Sequence, residues 1–135
     1  MISSTACVLC ENIVRDAETN TISLISIIEQ LNSPAFPLFL HKVGALIVLI
    51  RDEGDPDQTQ MTMRLLIEER EVFSNNVQVG FQGRSQTRAI FRFNGIIIPN
   101  PGQARIEFTI DEQVVGSWPF VINNIASQLP SANQS

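Results

Sequence analysis

Between Leu38 and Ile50 the chain reads LFLHKVGALIVLI, and this run constrains the fold more than any other. Laid out as a strand, it puts Phe39, His41, Val43, Ala45, Ile47 and Leu49 on one face and Leu38, Leu40, Lys42, Gly44, Leu46, Val48 and Ile50 on the other. Successive side chains of a strand point to opposite sides, so a sheet with one wet face alternates apolar and polar residues. Both faces here are apolar, and both have to be covered. The run is also shorter than the roughly 20 apolar residues of a bilayer-spanning helix.

Elsewhere the pattern is of strands with one polar face. Ala6 to Val14, the turn Arg15 to Asn20 and the β-branched run Thr21 to Gln30 predict a first hairpin. Two prolines make Asn32 to Pro37 a crossover or a corner, and Arg51 to Gln58 is a solvated acidic loop. Thr59 to Glu68 alternates most cleanly, with Met61, Met63, Leu65 and Ile67 set against Thr62, Arg64, Leu66 and Glu68. Val77 to Phe81 and Ala89 to Phe93 alternate likewise, and Asn94-Gly95 is a turn signal before Ile96 to Ile98. Beyond the corner Pro99 to Gly102, Ala104 to Ile110 and Val114 to Ile122 form a terminal hairpin. About eight short strands without a helical period predict an all-β fold, an antiparallel two-sheet β-sandwich of immunoglobulin-like or C2-like type. Its single domain spans residues 1–122, followed by a polar tail at 123–135.

With 44% hydrophobic and 17% charged residues, the chain has the composition of an ordinary globular domain with one core. A net charge of −5 argues against nucleic acid or an anionic membrane as partner. Two cysteines cannot form a disulfide framework, and the N-terminal residues lack the basic-then-apolar order of a secretion signal, so a cytoplasmic location is expected.

Several residue groups bear on chemistry. Cys7 and Cys10 make a lone C-x-x-C; on a strand they face opposite sides, and zinc would need further ligands where the chain has one histidine, His41. Packing is the expectation for both. Asp52, Glu53, Asp55 and Asp57 are weak candidates for holding Ca²⁺, provided that Asp111-Glu112 or Asp16 to Glu18 lies at the same end. Arg64, Arg88, Arg92 and Arg105 occupy outward positions that could grip an anion, but Glu68 and Glu107 share those faces, and cross-strand ion pairs are the simpler reading. Trp118 could serve as a platform for a sugar or peptide; core packing is the simpler reading, and Pro119 implies an edge or a bulge. One histidine, no tyrosine, no nucleophile elbow and no phosphate-binding glycine loop predict neither catalysis nor a cofactor.

The order of features resembles a family of small bacterial β-sandwich domains of unknown function. The resemblance rests on the early Cys, the acidic turn Asp16 to Asn20, Ile22-Ser23-Leu24-Ile25-Ser26-Ile27, Phe36-Pro37 before a long apolar strand, and Pro101-Gly102 opening Ile106-Glu107-Phe108-Thr109-Ile110-Asp111. It spans Ala6 to Ile122, implies a compact β-sandwich, and carries no catalytic residues over.

Function is expected to be non-enzymatic: a module that docks on a protein partner or on a second copy through an apolar sheet face. Leu40, Leu46, Val48 and Ile50 are the expected interface and a homodimer the expected assembly. The alternative is a calcium- or carbohydrate-binding sandwich using an end loop.

Overall fold

The computed structural model describes residues 1–128. It is all-β, with no α-helix among the described residues and a single 3₁₀ turn at Ala126–Gln128. Eleven strands replace the expected eight: β1 (Ser3–Arg15), β2 (Ile22–Ile27), β3 (Gln30–Ser33), β4 (Leu38–Leu40), β5 (Val43–Ile50), β6 (Gln58–Ile67), β7 (Arg70–Gly80), β8 (Gln86–Phe93), β9 (Ile96–Ile98), β10 (Gly102–Ile110) and β11 (Gln113–Asn124). They form a four-stranded sheet in the order β2-β1-β5-β8, a five-stranded sheet in the order β3-β11-β10-β6-β7, and the ribbon β4-β9.

The run Leu38 to Ile50 is not one strand. It breaks at His41-Lys42, and its partner breaks at the same row, Asn94-Gly95. Val43 lies opposite Phe93 and Leu40 opposite Ile96, so the register continues across the break, where the Gly95 N–H donates to the His41 carbonyl at 3.0 Å. Asn94-Gly95 is therefore a kink in a continuing ribbon rather than a hairpin turn, and Gly95 takes it at a φ of 93°, a region that favours glycine. The kink also exchanges faces. Val43 and Phe93 point into the core, but so do Leu40 and Ile96, which strict alternation would put outside.

Phe39 and its cross-strand neighbour Ile97 are the residues turned outward by this exchange, 49% and 59% exposed. Between the two larger sheets, Leu9, Val43, Ala45, Ile47, Leu49, Phe91 and Phe93 pack against Met61, Met63, Leu65, Ile106, Phe108 and Phe120 in one cluster. Phe91 is central to it, with ring centroids 5.4 Å from Phe108 and 6.2 Å from Phe93.

One pairing is not antiparallel. β3 runs parallel to β11, with Gln30 opposite Val121 and Ser33 opposite Asn124. This carries β11 to Asn124, past the expected end of the domain at Ile122, and the Ile125 N–H donates to the Ser33 carbonyl at 2.9 Å. The remainder of the expected tail, residues 129–135, lies outside the described residues.

Candidate functional site

The second face of β5 is covered by the chain itself. β1 pairs with β5 only as far as Cys10 opposite Gly44, and beyond that point it pairs with β2 alone. This free part of the β1–β2 hairpin folds across the outer face of β5 and β8. Cys10, Ile13 and Leu46 form a small second core there, with Ile22, Leu24, Val48 and Ile90 packed around it. Two arginines fasten the hairpin. Arg92 Nη2 donates to the Ile13 carbonyl at 3.2 Å, and Arg88 Nη2 donates to Asn20 at 3.0 Å (carbonyl) and 2.7 Å (Oδ1).

This arrangement separates the four expected interface residues. Leu46 is 8% exposed beneath the hairpin, and Val48 and Ile50 are half-buried. Leu40 belongs to β4 and packs against the main core. The hairpin's own reverse side is where apolar surface emerges, at Val14 (45% exposed), Ile25 (45%) and Ile27 (48%). The signal for a hairpin apolar on both sides is in the sequence, since Ile13 and Leu24 face inward while Val14 and Ile25 face outward, but composition alone does not say which face is covered.

Carboxylates of the acidic loop are already engaged. The Met1 ammonium lies 2.7 Å from Asp52 Oδ2 and 2.8 Å from Asp55 Oδ2, and the Asp52 N–H donates to Asp55 at 2.7 Å. Asp55 is held below the usual carboxylate range by that ammonium first and the Asp52 amide second. Asp57 accepts the Gly83 N–H at 2.6 Å and lies 3.3 Å from Arg51, while Glu53 points to solvent. Asp111 does lie at this end, sharing a cleft of about 210 Å³ with Asp55, Met1 and Pro56. Even so, among the described residues no three His, Cys, Asp or Glu side chains converge as metal ligands.

On the five-stranded sheet, Arg64 makes an expected cross-strand ion pair with Glu107, whereas Arg105 pairs with Glu107 of its own strand and with Glu69 of the β6–β7 turn. Arg88 and Arg92 donate to neutral oxygens instead. Glu107, 6% exposed, takes Arg64 Nη2 at 2.5 Å and Arg105 Nε at 3.1 Å, and Arg105 also grips Glu69 through both terminal nitrogens at 2.5 and 3.0 Å. Trp118 is no free platform: its indole N–H donates to the Ile28 carbonyl at 2.6 Å and its ring packs on the core. Pro119 precedes the segment of β11 that pairs with β3, so β11 is an edge at that residue, as its missing N–H requires. Cys7 and Cys10 are free thiols on opposite faces of β1, one against each core, and burial pushes the Cys7 thiol up to about 11. His41 sits exposed at the kink, edge-on to Phe39 with centroids 4.6 Å apart.

No helix among the described residues is long and apolar enough to cross a membrane. A search of curated proteins finds no match. A family model described as a family of unknown function, DUF6941, matches residues 5–123. That match runs from the first strand through the last, taking in both cores and the covering hairpin, and the chain belongs to this family.

Proposed function

We propose that the chain is a non-catalytic cytoplasmic module for binding and assembly. In this reading the four- and five-stranded sheets are the layers of a β-sandwich, and the module forms a homodimer, or docks on a protein partner, through apolar surface. The observation that carries it is where large apolar side chains meet solvent. Val14, Ile25 and Ile27 stand on the β1–β2 hairpin, and Phe39 and Ile97 stand opposite each other on β4–β9. Isolated exposed apolar residues are ordinary, but grouped on particular strand pairs they mark contact surfaces. A net charge of −5 favours protein over nucleic acid or an anionic membrane as the partner.

Multi-angle light scattering across a wide concentration range tests this. A species of twice the chain mass or more supports the reading, and a strict monomer at every concentration refutes self-association.

A further inference from the structure

We infer that two copies of the chain join edge to edge through β2, antiparallel about a two-fold axis, so that the two four-stranded sheets become one continuous sheet. The inference rests on the assembly reading above and specifies its junction.

An edge strand presents unpaired N–H and C=O groups, and folded proteins guard such edges with charges, proline, bulges or shortness. The two larger sheets have four edges: β2, β8, β3 and β7. β8 carries Arg88 and Arg92; β7 carries Arg70 and Glu71 at its start and beyond them exposes polar side chains, Ser74, Asn75, Asn76 and Gln78; β3 is uncharged but reads QLNS, with one apolar side chain, the half-buried Leu31. β2 reads ISLISI, with neither charge nor proline. Its one irregularity is Ser26, at a φ of 57°, which leaves Ile22 to Ile25 as an unguarded run.

Exposure follows the same division. Ile25 and Ile27 of β2 are 45% and 48% exposed, and Val14 on the adjacent strand is 45% exposed. Val14 lies opposite Ser23, and Asn12 opposite Ile25, so Val14 and Ile25 share the hairpin's solvent face.

A second copy is the occupant these features fit. An antiparallel strand related by a two-fold axis is its own complement: each copy supplies the same donors, acceptors and side chains to the other. An uncharged strand can do this without placing like charges opposite each other, and across the junction Val14 and Ile25 of both copies would line one apolar stripe. The inner face of the hairpin remains on its own sheet, fastened by Arg88 and Arg92, so neither core has to open.

The test compares three proteins by sedimentation and by amide hydrogen exchange. The wild type should be a dimer in which exchange from β2 slows as concentration rises. Ile25→Lys, an exposed substitution that leaves both cores intact, should weaken dimerisation by about tenfold or more. Val14→Lys serves the same purpose should Ile25→Lys fail to fold. Phe39→Asp combined with Ile97→Asp should leave the dimer unchanged. A dimer that resists both lysine variants, or that the Phe39/Ile97 variant abolishes, overturns the β2 junction and leaves the assembly reading standing. A wild type that stays monomeric overturns both.

Discussion

Gly44 lies directly beneath Ile13: a β-carbon added at residue 44 would stand 3.0 Å from both Ile13 Cγ1 and Cδ1, and 3.6 Å from Cys10 Sγ. The covering hairpin therefore sits on a strand that yields space at that row. Gly44→Val should force Ile13 outward and cost roughly 1–3 kcal/mol. Gly116 is a second close approach, but to the main core, where a β-carbon would come within 2.8 Å of Ile47 Cδ1. Denaturant titration should show a loss for both valine variants. Native-state hydrogen exchange should distinguish them, with faster exchange confined to the hairpin in Gly44→Val and spread through both larger sheets in Gly116→Val.

Asp111 and Glu112, the central residues of the β10–β11 turn, have φ values of 51° and 66°. Asn-Gly is the pair best suited to a turn with two left-handed residues. Replacing Asp111-Glu112 with Asn-Gly should raise stability by about 1 kcal/mol, the relief of left-handed strain outweighing the entropy that glycine adds to the unfolded chain. Glu68-Glu69 in the β6–β7 turn has the same geometry, with φ of 49° and 65°. There the same replacement should bring no gain, because Glu68 accepts the Gln103 N–H at 2.8 Å and Glu69 holds Arg105. Equal gains at both turns would contradict this account.

Glu107 is a buried carboxylate between two guanidinium groups. Glu107→Gln keeps the shape but removes the charge shared by Arg64 and Arg105, and should cost about 1–2 kcal/mol. Arg64→Met should recover part of that loss when combined with it, since one cation no longer lacks its partner. A double-mutant cycle in urea measures the coupling, and strict additivity would refute it.

Acid should weaken the fold in a way traceable to named carboxylates. Asp16 is held below its ordinary range by the amides of Glu18 and Thr19, and Glu69 by the Arg105 guanidinium. A carboxylate with a lowered folded-state pKa stabilises the fold above its unfolded value and loses that contribution as pH falls through the folded one. The urea midpoint should thus be flat near neutrality and decline from about pH 5 downward. Arg105→Met should lower the midpoint at pH 7 and make the acid decline shallower; an unchanged slope would remove Glu69 from the explanation.

How much of this could be read from the residues depended on the kind of pattern each left. Met61 to Ile67 and Ala104 to Ile110 alternate because one side of each strand meets the core, and the structure keeps that phase. The double-sided apolar character of Val43 to Ile50 was equally plain, but periodicity gives no identity for the covering element, which proved to be the chain's own hairpin. The kink falls at His41-Lys42, the two polar residues of the run, but the exchange of faces left no trace in hydropathy, since Leu38, Phe39 and Leu40 are apolar whichever way they face. Glu107 was legible as an outward position with ion-pairing neighbours; its burial was not, because strand periodicity does not show two guanidinium groups converging on one carboxylate.

The division of β1 between two cores has a consequence for how the molecule comes apart. Its first part, Ser3 to Cys10, is paired with β5 and reaches β2 only at Cys10, whereas Asn12 to Arg15 has β2 as its sole paired strand. One uninterrupted strand thus spans two units of unequal cohesion. Thermal fluctuations that lift the lid need break only the small cluster and two arginine clasps, so the boundary between early-opening and late-opening amides falls within a strand, near Cys10, rather than at a loop.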